Sequence, residues 1–387
     1  MINNLLKTIS EAEIFQLVLF FILLTLVFIQ VLFKIIFLIR ISLLKQDTRG
    51  KTRTPVSIIM TERNEEENLS ENLPGLLAFN NENYEVIVVD DFSQDNSLSV
   101  LGKLREANSN LKVSALNQET RFSIKLSQNI GLKSMKNDWA LVVPPSVNQY
   151  KNEWVVNICS TIPPGAETII NYCNVTRNKK LFNKLFRIET FLLYLKSMAY
   201  SMAGFPFVFF ENNVVFRKQK YFELGGYGKK IKEPYANLEL LINQFLSKKK
   251  CRFVLNDDTA IRFTEKVSRH DFLDLIRKSF CIEQHLSFSK RLVLFLSSFV
   301  KLIILPLLVV VILLFTGVWP IVLVAVCILL ILHLFIIKTM QNRLNERKIF
   351  ITSLMYDLVV PYFKIVFRWH FNRKRHKQNG RTKFKVI

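Results

Sequence analysis

The chain has 387 residues, carries a net charge of +22 and is 50% hydrophobic, with 33 Phe and only 11 Gly. That composition excludes a disordered, collagen-like or low-complexity chain, and the length leaves room for one enzyme-sized domain beside lipid-embedded segments. The five cysteines (159, 173, 251, 281 and 327) are odd in number and never spaced Cys-x-x-Cys, and the five histidines show no ligand spacing. This argues for reduced thiols and against a disulfide scaffold or a zinc site.

After an N-terminal tail over residues 1–13, residues 14–39 form an apolar run broken only by Gln16, Gln30 and Lys34. The run is long enough to cross about 30 Å of hydrocarbon. It is too long for a signal-peptide core and lacks an Ala-x-Ala cleavage pattern, so it is expected to remain as an anchor. Residues 40–53 then carry a net +4.

Residues 55–60 are a short apolar strand followed by Thr61, Glu62, Arg63, Asn64 and three further Glu. Asn64 with Glu67 reads as an N-cap and capping box. Leu69, Leu73, Leu76 and Leu77 follow at helical spacing, and Pro74 is expected to kink that helix or start its last turn. A second strand, residues 85–89, is a β-branched run without polar alternation, which suits a central parallel strand covered on both faces. It ends on Asp90 and Asp91, ahead of Ser93, Gln94 and Asp95. Ligands of open α/β sheets bind at the carboxyl ends of such strands, and two adjacent carboxylates there need amides, a cation or ligand donors to offset lost hydration. Capping of the next helix by an Asp is the plainer alternative. The alternation continues with a helix on Leu98, Leu101 and Leu104, a strand at 112–115, a helix at 127–136 and a strand at 139–143. The Gly-rich phosphate loops of dinucleotide- and ATP-binding folds are absent from the sequence.

These motifs resemble the membrane-associated family 2 glycosyltransferases of GT-A fold. Residues 55–67 are similar to the family's strand plus Ala/Thr-x-Arg-Asn-Glu-Glu loop, and residues 86–95 to its Val-Val-Asp-Asp-x-Ser-x-Asp. Lys125 with Asn129 and Gly131, Asn213 with Arg217, and Gly225-Gly226-Tyr227 resemble later family motifs. The resemblance covers residues 54–285. It implies an α/β fold with a mixed, mainly parallel sheet, flanked by transmembrane helices, and a nucleotide-sugar donor held by Thr61, Arg63, Asn64, Glu65, Asp90, Asp91 and Lys125. It also implies a divalent cation, Mg²⁺ or Mn²⁺, on an Asp-x-Asp after the fourth strand. Here those positions read Pro144-Pro145-Ser146, so no metal ligand is assigned and no cofactor is expected. Where the family places an acidic base the chain has Asn237, and an amide cannot take a proton usefully near neutral pH. Glu239 is then the local candidate base, with Glu233 more distant; an exposed helix carboxylate is the alternative for Glu239. Arg277 and Lys278 stand where relatives close over the diphosphate and are candidate phosphate ligands. With Arg262, Lys266 and Arg269 they could instead form a cationic face on anionic lipid.

The aromatic block at residues 181–210 suits either core packing or an acceptor site for a lipid-borne substrate. Residues 292–315 and 318–337 form two more spans joined by a tight turn, and residues 351–387 read as an amphipathic interfacial helix with a polybasic tail. Net charges of +2 at 341–350 and +8 at 368–387 bring the flanks to +14 of the chain's +22. Positive flanks stay inside, so the expectation is an integral protein of the cell (inner) membrane with its GT-A domain and C-terminus cytoplasmic. Topology thereby accounts for most of the basic excess, and no nucleic-acid motif accompanies it.

Two functions fit. One is a membrane-anchored glycosyltransferase that moves a sugar from a nucleotide-sugar, such as a uridine diphosphate sugar, to a lipid-linked or surface-glycan acceptor. The other is a catalytically degenerate relative acting as a binding or regulatory partner in envelope-glycan synthesis.

Overall fold

A computed structural model describes residues 13–44, 53–79, 83–119, 123–150 and 153–377. Most of the N-terminal tail, the charged flank at 45–52 and the end of the basic tail beyond residue 377 lie outside the described residues. In chain order the elements are α1 (Ile14–Leu43), β1 (Val56–Glu62), α2 (Glu66–Leu77), β2 (Tyr84–Asp90), α3 (Ser97–Ala107), β3 (Leu111–Ala115), α4 (Ser123–Ser134), β4 (Trp139–Val142) and β5 (Val147–Gln149). There follow α5 (Trp154–Ser160), β6 (Thr168–Ile170), β7 (Cys173–Val175), α6 (Leu181–Ala203), β8 (Val214–Arg217), α7 (Lys218–Glu223), α8 (Glu239–Phe245), β9 (Cys251–Phe253), β10 (Ile261–Phe263) and α9 (Arg269–His285). The last three helices are α10 (Phe288–Leu314), α11 (Trp319–Arg343) and α12 (Phe350–Lys377). The chain divides into two compact units, one built on residues 46–286 and the other on α1, α10, α11 and most of α12.

The first unit centres on a seven-stranded sheet of order β3-β2-β1-β4-β8-β6-β9. Strands β1 and β2 are buried along nearly their whole length and pair in parallel from Val56–Tyr84 to Glu62–Asp90. This is what their unalternated β-branched runs demand. Strand β4 joins β1 in parallel, whereas β8 pairs antiparallel with both β4 and β6. The reversal matters for function, because it brings the start of β8 to the edge where β1, β2 and β4 end. A small second sheet, β5-β10-β7, begins directly after that edge. Helix α4 packs tightly on the centre: a Cβ at Gly131 would lie 2.7 Å from Ile59 Cγ2, so this position requires glycine. The aromatic block is core. Phe191, Tyr194, Met198, Phe207 and Phe209 are fully buried, with Tyr194 packed on Tyr172, Phe210 and Phe253.

The second unit contains four helices long and apolar enough to cross a membrane: α1, α10, α11 and residues 350–369 of α12. Phe20, Leu23 and Val27 of α1 pack on Val311, Phe315, Val318 and Val322, while Phe28, Phe295, Ile331 and Phe335 stay exposed, as lipid-facing residues would. Each helix also contributes one ionisable side chain to a shared network. Lys34 Nζ lies 3.0 Å from His333 Nδ1, His333 Nε2 is 3.4 Å from Asp357 Oδ2, and Lys301 Nζ is 3.0 Å from both Asp357 oxygens. Helix α12, expected from sequence to lie along the interface, packs here against its neighbours. Lys338 stands over the Phe350 ring, and the Tyr362 hydroxyl donates to Leu302 O.

Removing one partner of an ion pair in apolar surroundings leaves the other uncompensated, whereas removing both is far less damaging. Asp357→Ala is therefore expected to lower the unfolding midpoint in detergent by several degrees, and adding Lys301→Met to the same chain should recover much of the loss. An equally unstable double variant would show that the pair does not hold α12 in place.

Candidate functional site

The carboxyl ends of β1 and β2 lead into two loops that are laced together. The Asp91 amide donates to Glu62 O at 2.8 Å. The Asn64 amide donates to Ser93 Oγ and the Gln94 amide to Asn64 Oδ1, at 2.9 and 2.7 Å. Asn64 has φ 56°, a left-handed conformation that Asn tolerates better than most residues. It is therefore not the N-cap expected from sequence. Helix α2 starts two residues later, with Glu65 at the cap position and no side-chain cap bond. The first turn is served from the neighbouring loop instead: Asp95 Oδ2 accepts from the Glu66 amide at 3.1 Å, and Ser97 Oγ from the Glu65 amide at 3.1 Å. Glu66 reciprocates by accepting from the Asn96 amide. Thr61, Arg63, Asn64, Glu65, Asp90 and Asp91 are thus brought to one edge, with Arg63 turned outward to Glu119 at 2.8 Å. An open groove of about 410 Å³ on the α2 side is lined by Glu65, Glu66, Glu67 and Asp95. Its carboxylates would repel a diphosphate.

Glu62 did not emerge from the sequence as a site residue. It is 3% exposed and lies beside Asp90. Burial first, and then the Asp90 carboxylate, pushes its carboxyl up to about 9. Glu62 Oε1 and Asp90 Oδ1 are buried without a hydrogen-bond partner among the described residues. A neutral acid beside a carboxylate offers a donor and an acceptor together, which suits sugar hydroxyls or the amide edge of a nucleobase.

A second cluster forms where β8 begins. The Asn213 amide donates to Val142 O at 2.9 Å, and its side-chain amide ties Tyr172 O and Thr259 O. Two residues earlier, Glu211 accepts from the Leu238 amide at 2.8 Å and lies 3.5 Å from Asn237 Nδ2. Glu239 is fully buried rather than exposed on its helix, and it pairs with Lys278 Nζ at 3.0 Å. Burial pushes the Glu239 carboxyl up, but Lys278 and the Asn237 amide outweigh it and hold the group below its ordinary value. Glu211 has the opposite fate: burial and the neighbouring Glu239 raise it to about 7. Lys278, partly buried beside the two carboxyls, is held above its usual range because their charges outweigh its desolvation. Sequence reasoning missed Glu211; the available signal was a lone acid directly after the Phe-rich run at 205–210.

Lys125 belongs with this second cluster rather than with the laced loops. Its ammonium binds the carbonyls of Lys230, Ile231 and Glu233 and lies 5.7 Å over the Tyr227 ring. Burial lowers its pKa, against the pull of Glu239 and Glu233. Arg277 and Lys278 diverge, Arg277 bonding Asp274. Arg262 packs on the Tyr172 ring and donates to Leu344 O at 2.7 Å, so with Lys278 it turns away from any shared cationic face. At the end of β4, neither Pro144 nor Pro145 has a side-chain ligand atom, and Ser146 is buried. That donor set does not fit an oxygen-loving dication.

The raised Glu62 carboxyl has a stability consequence. A group whose folded pKa lies above its unfolded value favours folding at low pH, and that contribution is lost as pH rises, here from about 4.5 toward 9. Glu62→Gln should therefore raise the unfolding free energy more at pH 8 than at pH 5, by more than about 1 kcal/mol. Parallel pH dependences for variant and wild type would show that Glu62 is not held neutral by the fold.

Residues 57–143, spanning β1 to β4, match the family model described as glycosyl transferase family 2. A comparison with curated proteins finds no match. Among solved structures, a mannosyltransferase from Pyrobaculum calidifontis, PcManGT in complex with GDP-Man and Mn²⁺, is similar at 15% identity and a TM-score of 0.52, covering 89% of this chain and 98% of that one. S. aureus TarS 1-349 in complex with UDP-GlcNAc aligns at 19% identity and a TM-score of 0.41, over 60% of this chain and 66% of its own. Mannosyl-3-phosphoglycerate synthase from Rubrobacter xylanophilus aligns at 14% identity and a TM-score of 0.40, over 60% and 73%. At these identities the first likeness speaks to fold, and it agrees with the strand order and the motifs at the ends of β1 and β2. Residues 57–143 thus match the glycosyl transferase family 2 model, and the surrounding unit shares its fold with a solved glycosyltransferase.

Proposed function

We propose that the protein is a membrane-anchored glycosyltransferase that moves a sugar from a nucleotide-sugar donor to a lipid-linked or surface-glycan acceptor without a divalent cation on β4. The observation that carries this reading is the pair of buried carboxyls, Glu211 and Glu239, with the partly buried Lys278 beside them, at the edge where β4 ends and β8 begins. Two coupled carboxyls with environments that split their pKa values assign acid–base roles by themselves. Glu239, locked ionised by Lys278, is the fixed charge. Glu211, raised to about 7, is the group able to accept a proton at physiological pH.

In the proposed step the acceptor hydroxyl attacks the anomeric carbon from the face opposite the nucleotide. The bond from that carbon to the phosphate oxygen breaks, the configuration inverts, and the hydroxyl proton passes to Glu211. The leaving diphosphate carries the developing charge, and Arg277 meets it by exchanging Asp274 for phosphate as a bidentate partner. The base and ribose of the donor are held by Thr61, Arg63, Asn64, Glu65, Asp90 and Asp91, with Glu62 as the added donor. The positive flanks favour a cytoplasmic domain, which is where nucleotide-sugars would reach it.

Pro144 and Pro145 favour a second reading, a degenerate relative that binds the donor without turning it over. Calorimetry of donor binding with and without Mn²⁺, followed by an assay of nucleoside diphosphate release, separates the two. Metal-independent binding with release is the expected result. Binding without release across donor and acceptor panels would establish the degenerate partner, and no binding would overturn both. Glu211→Gln should keep donor binding while losing about 10²- to 10⁴-fold in turnover; unchanged turnover would remove Glu211 from the chemistry.

A further inference from the structure

We propose that Glu233, Cys281 and His285 form a site for a zinc-class divalent ion, distinct from the donor site. The cysteines and histidines show no ligand spacing along the chain because the third ligand comes from a distant part of it. Cys281 and His285 are four residues apart on α9 and so share one helix face. Glu233 ends the 3-10 turn Gly228–Lys232. One ligand atom from each of the three residues lies within 4.8 Å of the other two.

The imidazole is already turned toward Glu233, while Cys281 Sγ lies 3.9 Å from Nδ1 and must rotate toward Nε2 to share an ion with it. His285 Nδ1 lies 2.9 Å from Cys281 O, and a carbonyl only accepts, so Nδ1 carries the proton and Nε2 presents its lone pair. Fixing one ring nitrogen on a backbone carbonyl is how metal-binding histidines are commonly held. Nε2 lies 3.7 Å from Glu233 Oε2. Two bonds of about 2.1 Å in tetrahedral geometry place ligand atoms about 3.4 Å apart, so only a small approach is needed. Cys281 and Glu233 are buried and His285 is partly exposed, which leaves a path for entry.

A thiolate, an imidazole and a carboxylate select zinc-like ions over Mg²⁺ or Ca²⁺, and three protein ligands leave one position for water. On binding, the Cys281 thiol releases its proton to solvent and the sulfur bonds the ion. The buried Lys125 ammonium, which holds the carbonyls of the same turn, opposes the ion's charge, so binding is reversible rather than permanent. Its effect is to clamp the turn onto the helix that also carries Lys278.

The test uses the full chain in detergent with Co²⁺ alone as the probe. A near-ultraviolet thiolate-to-cobalt charge-transfer band is expected, displaced by Zn²⁺. Cys281→Ser should abolish it, and His285→Ala, at a partly exposed position where misfolding is not a concern, should weaken Co²⁺ binding at least about tenfold. Cys327→Ser, which alters the exposed cysteine, should leave the band intact. No band in the wild type, persistence in Cys281→Ser, or unchanged affinity in His285→Ala would overturn the proposal. The readout involves neither donor nor turnover, so it fails or succeeds independently of the glycosyltransferase reading.

Discussion

Four carboxyl groups, Glu62, Asp90, Glu211 and Glu239, are buried at one edge of a single sheet, and most of the site's chemistry follows from how each burial is compensated. Desolvation disfavours the charged form strongly, so each group must acquire a proton, a cation or hydrogen bonds. Glu62 and Glu211 are pushed toward the protonated form. Glu239 takes a cation, Lys278. Asp90 accepts from the Ser93 amide at 3.2 Å, and its other oxygen is buried without a hydrogen-bond partner among the described residues. The result is two mixed acid–carboxylate pairs, one at the end of β1 and β2 and one where β8 begins.

The antiparallel strand β8 makes this arrangement possible. If it ran parallel to β4, Glu211 would lie at the opposite edge of the sheet, away from the strand ends that gather ligands in α/β folds. In its actual direction, Asn213 closes on Val142 and Glu211 follows into the space beside α8 and α9. A cation on β4 would ordinarily neutralise charge on a departing diphosphate. With prolines in that position, the proposed function assigns that electrostatic work to side chains of α9, which arrive by tertiary packing.

The parts legible in sequence were those with local causes. Unalternated β-branched runs gave away β1 and β2, leucine spacing gave away α2 and α3, and long apolar runs the spans, with bounds shifted by a few residues because helix ends depend on caps. Asn64 shows the limit: its cap pattern was present, yet the helix is capped by Asp95 across the next loop, a contact that needs the register of β1 on β2. Lys278 and Glu211 were harder still. A basic residue before a membrane segment looks the same whether it faces lipid or pairs inward with Glu239, and Glu211 acquires its character only from residues far along the chain. The same holds for Asp357, whose partners come from two other helices.

The most direct test of the Glu211–Glu239 assignment is the pH dependence of nucleoside diphosphate release, measured with a chelator present, in the wild type and in Glu239→Gln. The wild type should turn over with an acid limb near pH 7, where Glu211 titrates. In Glu239→Gln the negative neighbour is gone and Lys278 is freed to favour the Glu211 carboxylate, so turnover should persist with its limb displaced to lower pH. Loss of wild-type turnover on chelation, or a Glu239→Gln variant inactive at every pH, would contradict the assignment.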